Sequence, residues 1–376
     1  MISKKYARGA VATIALMTSL VMTGCATPSN ENALAVVKQG SFFVGGTLLT
    51  APGTYDPTQG TTSTDPGQNF WKDQMYVQYQ IPANARKYPL ILVHGGSGTG
   101  RVWETTPDGR EGYQTLMLRR GFPVYIVDFP RRGRAGYPSY NGPFGTLAGK
   151  PVVANRTGQA GVQYAWSRWR LGPKYPEVFP VQQFPMQAVD QFMQHLVPTV
   201  SDDREIISGA LIKLLEKIGP AIVVTHSQSG LFGWIAGARS PNVKGIVSYE
   251  PGFVFKQGEV PPAIPMFKGS QPSGTPVTPA EFDNLARIPL QVVYGDNIPK
   301  EPIPDLVADG RRAQVVTSKM FVDALNRQSN ANNASVLHLP DVGLYGNSHF
   351  MFSDLNNVQV ADQLSKFLSE KGLDIR

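Results

Sequence analysis

A hydroxyl becomes a nucleophile when a tight turn holds it clear of the backbone, and the segment Thr225-His226-Ser227-Gln228-Ser229-Gly230 has the form of such a turn. It follows directly on the apolar run Ala221-Ile222-Val223-Val224 and passes into a helical stretch over 230–239. Small residues at Thr225 and Ser229 leave room on either side of Ser227. The glycines usual at these flanks are absent, so an ordinary serine-rich turn after a strand competes as a reading of these six residues taken alone.

A serine that attacks a carbonyl needs amides to hold the oxyanion, a base to take its proton and an acid to orient the base. The apolar run over 90–93 leads into His94-Gly95-Gly96-Ser97-Gly98-Thr99-Gly100, where missing side chains let the backbone approach a substrate. The amide of Gln228, directly after the nucleophile, and that of Gly96 are the expected oxyanion donors, with Ser97 as the alternative to Gly96. A phosphate-binding loop is the rival reading of the strip, but the closing Lys-Ser/Thr of a P-loop is missing. Among the five histidines, His94 lies in the strip, His226 in the elbow, His195 in a helical stretch and His338 in a strand. His349 alone stands in a polar loop, Gly346-Asn347-Ser348-His349, between the last strand and the last helix, where a base can reach the elbow. The acid is Glu250, at the tip of the strand in Ser248-Tyr249-Glu250-Pro251-Gly252, in preference to Asp296. The slot after the following strand that most enzymes of this plan use is occupied here by Ile298.

These residues require a scaffold that delivers them to one edge. Short apolar runs predict strands over 41–49, 75–81, 90–93, 124–127, 221–224, 245–249, 290–294 and 335–339. Amphipathic stretches predict helices over 111–120, 203–218, 230–239, 313–327 and 358–370. Their alternation after Pro89 indicates an α/β protein whose mostly parallel sheet is covered on both faces. The interval between the strands at 124–127 and 221–224 is too long for one crossover helix and carries Tyr137, Tyr140, Phe144, Tyr164, Trp166, Trp169, Tyr175, Phe179, Phe184 and Phe192. An aromatic insertion at about 137–200 is expected to cap an apolar pocket, the alternative being rings that only pack the insertion onto its own domain.

Basic Lys4, Lys5 and Arg8 precede an apolar stretch over 10–22, too short for a membrane span, which predicts an export signal. Met22-Thr23-Gly24-Cys25 has the form of a lipoprotein box, so residues 1–25 read as a signal ending at a lipidated Cys25, and 26–40 as a tether. Cleavage after Ala26, releasing a soluble secreted protein, is the alternative. Cys25 is the sole cysteine of the 376 residues, which leaves no internal disulfide, cysteine metal site or thiol nucleophile. Removing the basic leader lowers the formal charge from +7 to about +4, too weak and dispersed for nucleic-acid binding.

The strings MYVQYQIP, WETTPDGR, DFPRRGRAG, THSQSG, SYEPG, YGDNI and GNSHFM resemble a small family of exported bacterial esterases in the α/β-hydrolase superfamily. The match runs in order from about Ser41 to Leu368. The resemblance implies an α/β-hydrolase fold in which Ser227 is the nucleophile, His349 the base and Glu250 the acid, after the sixth strand. It departs at Gly96-Ser97, where an esterase of this kind has two adjacent cysteines, so no disulfide braces this strip. The expected activity is cleavage of carboxylic esters through an acyl-enzyme, with a small-molecule ester as partner and no cofactor or metal. Membrane association is expected only through lipidated Cys25, with the outer membrane facing the periplasm as destination. Lactones or amides could use the same set of residues, and a non-catalytic binding lipoprotein could reuse the fold.

Overall fold

The computed structural model of the chain describes residues 33–60, 66–136, 146–147, 150–151, 157–200 and 204–376. Its folded unit runs from Ala35 to Arg376. The leader, Cys25 and the first part of the expected tether lie outside the described residues.

Eight strands form one sheet. They are β1 (Val36–Thr50), β2 (Asn69–Pro82), β3 (Leu90–Val93), β4 (Val124–Asp128), β5 (Ala221–His226), β6 (Val243–Tyr249), β7 (Leu290–Tyr294) and β8 (Ala334–His338). In the order β1-β2-β4-β3-β5-β6-β7-β8, the β1–β2 and β2–β4 pairings are antiparallel and the rest parallel. The central strands β3 and β5 are buried along their whole length, which is why they read as unbroken apolar runs rather than as alternation. Parallel pairing also brings the C-terminal ends of β3 to β8 to one edge, where such sheets carry their ligands.

Helices α4 (Arg204–Ile218), α5 (Ser229–Arg239), α6 (Pro279–Ala286) and α7 (Leu306–Ser329) pack in succession and share one apolar cluster with the sheet. Helices α1 (Tyr113–Arg119) and α8 (Asn357–Glu370) pack on each other outside that cluster. Within the first layer Trp234 of α5 stacks on Phe321 of α7, with ring centroids 4.3 Å apart, and donates its indole N–H to Ser248 of β6 at 2.7 Å. Burying a ring of that size contributes about 1.5–3 kcal/mol. This contact ties α5, β6 and α7 into one unit.

Several boundaries depart from the expectations. β1 opens at Val36, so the expected tether over 26–40 ends inside the sheet, because β2 continues to Pro82 and pairs with Val36 and Lys38. β8 ends one residue early, since Pro340 opens a 3₁₀ turn and cannot donate to the ladder. Helix α7 starts at Leu306 rather than near 313, because the Asp305 carboxylate caps the amides of Val307 and Ala308 at 2.9 and 3.0 Å. Helix α6 was not expected at all, although Thr278 and Glu281 form a reciprocal capping box around Pro279.

The described part of the insertion holds the short helices α2 (Val162–Arg168) and α3 (Val189–Met193). Tyr137, Tyr140 and Phe144 lie outside the described residues.

Candidate active site

At the end of β5 the chain makes the turn expected of it. Ser227 has φ +54°, a left-handed conformation that costs a non-glycine residue about 1–3 kcal/mol, and helix α5 starts two residues later. The flanks are not glycine because both hydroxyls are satisfied internally. Thr225 Oγ1 lies 2.7 Å from Ser248 Oγ, and Ser229 Oγ accepts the His226 amide at 2.8 Å while facing the carbonyl of Val93 at 3.0 Å. Glycine is required at Gly230, where a Cβ would meet that of Pro251 at 2.1 Å.

The parallel register of β5 and β6 pairs Thr225 with Ser248 and His226 with Tyr249, so the next residues along the two strands are Ser227 and Glu250. The Ser227 amide donates to the Tyr249 carbonyl at 2.8 Å. Glu250 itself sits at φ +48°, turned off the end of its strand and buried.

His349 donates Nδ1–H to Glu250 Oε2 at 2.6 Å, which assigns its proton because a carboxylate only accepts. The histidine loop is tied down from several sides. The His349 amide donates to the Trp169 carbonyl at 2.9 Å, and His226 Nε2–H donates to the His349 carbonyl at 3.0 Å. Asp354 accepts the Ser348 amide and hydroxyl, both at 2.7 Å. Asp296, the discarded candidate acid, accepts the Gly346 amide at 2.7 Å and supports the loop, not the imidazole.

Glu250 has four donors. Besides His349 they are the Gly295 amide at 3.1 Å and both terminal nitrogens of Arg170, Nη1 at 2.8 Å to Oε2 and Nη2 on Oε1. Burial pushes the Glu250 carboxyl up, but the charges of Arg170 and His349 outweigh it and hold the group well below the usual carboxylate range. Arg170 belongs to the insertion, just past α2, at φ +57°, and also donates Nε–H to the Asp296 carbonyl at 2.7 Å.

A second buried guanidinium, Arg311 of α7, has Nη2 3.5 Å from His349 Nε2. Burial and then the Arg311 charge push the His349 imidazole down to about 3. Among the described residues the Ser227 hydroxyl makes no hydrogen bond, so the link from serine to Nε2 is the one contact of the set left open. Catalytic hydrogen bonds of unliganded sites are often loose in this way. Neither arginine was expected; Arg170 lies 80 positions from Glu250 and in a stretch read only for its rings.

The glycine strip meets the elbow as expected. A Cβ on Gly95 would lie 2.8 Å from His226 Nδ1, so this approach needs glycine there, while one on Gly96 would lie 3.2 Å from Gln228 Oε1. With no disulfide available, the strip is braced otherwise. His94 donates Nδ1–H to the Gly95 carbonyl at 2.8 Å and accepts the Phe129 amide on Nε2 at 3.2 Å. The Gly100 amide donates to Asp128 Oδ1 at 2.6 Å, and the Val197 amide of the insertion to the Ser97 carbonyl at 2.9 Å.

Residues 90–362 match the model of the alpha/beta hydrolase family. The chain belongs to this family. A solved structure, that of a novel bacterial esterase, is similar to this hydrolase with a TM-score of 0.71 at 32% identity, over 90% of this chain and 97% of the other. A probable secreted lipase, phiG, from Fungal sp. (strain ATCC 74256) is 28% identical over 329 residues, 81% of this chain and 88% of that protein. The fold is therefore the one the sequence suggested, and the chain is a hydrolase.

The rings of the insertion divide into two groups in this hydrolase. Trp169 packs edge-on against Phe350, the neighbour of His349, at 5.0 Å, and Phe192 joins both rings. Trp166 instead packs on Tyr175 at 5.1 Å and donates to the Glu177 carbonyl, inside the insertion. Among the described residues no cluster of three His, Cys, Asp or Glu side chains could hold a metal ion, and no helix is long and apolar enough to cross a membrane.

Proposed function

We propose that this hydrolase cleaves carboxylic esters through an acyl-enzyme, with Ser227 as nucleophile, His349 as base and Glu250 as acid. The observation that carries the reading is the 2.6 Å bond from His349 Nδ1 to Glu250 at the end of the strand beside a serine elbow at φ +54°. That bond leaves His349 Nε2 unprotonated and able to take a proton. Nε2 takes the Ser227 proton as Oγ attacks the carbonyl, and returns it to the leaving alcohol. Glu250 keeps the tautomer and stabilises the imidazolium. The amides of Gln228 and Gly96 hold the oxyanion, and water then attacks the acyl-enzyme to release the acid.

Kinship with an esterase and a lipase favours esters over other acyl derivatives. Steady-state hydrolysis of p-nitrophenyl esters from acetate to octanoate tests the reading. Turnover of at least the short esters, abolished by Ser227→Ala, is expected; no turnover of any ester above the Ser227→Ala background would contradict it.

Export is part of the same proposal, on the basic-apolar-box order of residues 4–25 and the relation to a protein named as secreted. Lipidation of Cys25 would then hold the enzyme on the outer membrane, facing the periplasm. Cys25→Ser should release it from the membrane fraction or stall its processing, and unchanged fractionation would contradict lipidation.

A further inference from the structure

The carboxylate of Glu250 offers about four lone-pair sites, and four donors already occupy them: His349 Nδ1, the Gly295 amide and the two Nη groups of Arg170. Arg311, whose side chain is 7% exposed, is therefore a second cation beside an acid with no capacity left for it; its nearest approach to Glu250 is 3.9 Å. Its own hydrogen bonds go to neutral groups, Gln314 Oε1 at 2.8 Å and the Arg168 carbonyl at 3.5 Å. The other charged groups that act on it, Arg170 and Arg168, are also cations, and the Tyr294 phenol is neutral. Arg170 and Arg311 thus share the single buried carboxylate of Glu250, the second of them only at 3.9 Å, and the excess positive charge beside His349 is costly unless something else neutralises it.

Its position says what that is. Nη2 lies 3.5 Å from His349 Nε2, the atom that must protonate the leaving alcohol. A group bound to Arg311 therefore lies within a few bonds of the leaving oxygen, on the alcohol side of the ester. We infer that Arg311 is a specificity-determining residue that pairs with a carboxylate on the alcohol half of the substrate, so that the preferred substrates are O-acyl esters of hydroxy carboxylic acids. This rests on the ester-hydrolase reading above. The acyl group passes to Ser227, the hydroxy acid leaves with the proton from His349, and water releases the acyl group as a carboxylic acid. The bound carboxylate also neutralises the cation that otherwise opposes the imidazolium, so it raises kcat as well as affinity.

The test compares O-butanoyl-lactate with O-butanoyl-lactamide, followed by pH-stat titration, with p-nitrophenyl acetate as the neutral reference. The amide has the same shape, lacks the charge and has the intrinsically better leaving group. Wild type is expected to favour the carboxylate at least tenfold in kcat/KM, the scale of a charge-assisted bidentate contact. Arg311→Met should bring the ratio to one or below, and Arg311→Lys should keep part of it. A wild-type ratio of one or less, with p-nitrophenyl acetate still cleaved, overturns the inference while leaving the hydrolase reading intact. A fall in both esters by the same factor in Arg311→Met also overturns it, since Arg311 then serves only the packing around Glu250. If the variants do not fold, the wild-type ratio alone decides. Failure of wild type to cleave any of the three esters removes the ester-hydrolase reading and this inference with it.

Discussion

Arg170 of the insertion grips both carboxylate oxygens of Glu250 and shares Oε2 with the bond that Glu250 accepts from His349. The insertion thus helps to hold Glu250, and through the bonds from His349 to Trp169 and from Val197 to Ser97 it also holds the His349 loop and the glycine strip. Its contribution to the site is therefore structural.

Arg170→Met should therefore cost stability and activity together. Both partners are essentially buried, with side chains 2% and 0% exposed, and breaking such a pair leaves an uncompensated charge worth about 3–5 kcal/mol. Denaturant unfolding should show that loss, with kcat falling at least tenfold in the fraction that remains folded. A stability change under 1 kcal/mol would show that the pair is dispensable.

Glu250→Gln and Asp296→Asn should separate the two candidate acids. The amide at Glu250 holds His349 in the wrong tautomer and removes its counter-charge, a change that typically costs on the order of 10⁴ in kcat. Asp296 faces the Gly346 amide and not the imidazole, so Asp296→Asn should cost roughly tenfold or less. The assay is kcat on one activated ester with unfolding curves for both proteins; an inactive Asp296→Asn beside an active Glu250→Gln would reverse the assignment.

The pH dependence should be governed by stability, not by the base. Burial, followed by nearby charges, pushes His349 down to about 3, His226 well below its usual range, and burial pushes His94 and His195 down to about 4. Each binds a proton near pH 6.5 when unfolded and resists it when folded. The stability these groups contribute is thus present above about pH 6.5 and is lost as pH falls, by up to about 1.4 kcal/mol per pH unit for each group. Below its usual range Glu250 acts in the same direction. With a neutral ester, kcat/KM should stay flat through pH 6.5 and drop only where circular dichroism shows acid unfolding. A limb near pH 6.5 in folded protein would mean that the imidazole is not depressed.

The two tryptophans should behave differently. Trp169 packs on Phe350 beside the base, so Trp169→Ala should change relative kcat/KM across esters of graded chain length. Trp166 bonds within the insertion, so Trp166→Ala should lower the melting temperature and leave the relative preference of the folded enzyme unaltered. Identical preference profiles for wild type and Trp169→Ala would remove that ring from the substrate's surroundings.

The sheet was legible in the sequence because its central strands are buried on both faces and show as short apolar runs between turn signals. The elbow and Glu250 stood out because each directly follows such a run, and His349 because it alone of the five histidines stands in a polar loop between the last strand and the last helix. What the sequence concealed lies where the local signal is polar. Arg311 sits in Asp309-Gly310-Arg311-Arg312, a stretch that breaks the apolar period and hides the first two turns of α7 despite the cap at Asp305. Arg170 comes from a distant insertion, and nothing in its neighbourhood marks a partner at Glu250. Pairings of this kind are set by tertiary contact alone. The bracing of the glycine strip by His94 and Asp128 was hidden for the same reason.

The central claim is that Ser227 is the nucleophile, and covalent labelling tests it most directly. The purified protein is incubated with a fluorophosphonate probe, followed by intact mass, peptide mapping and residual ester hydrolysis. The account predicts a single adduct, on Ser227, with activity lost in proportion to labelling and no adduct on Ser227→Ala. Full labelling at another residue, or ester hydrolysis that persists in fully labelled protein, would contradict it.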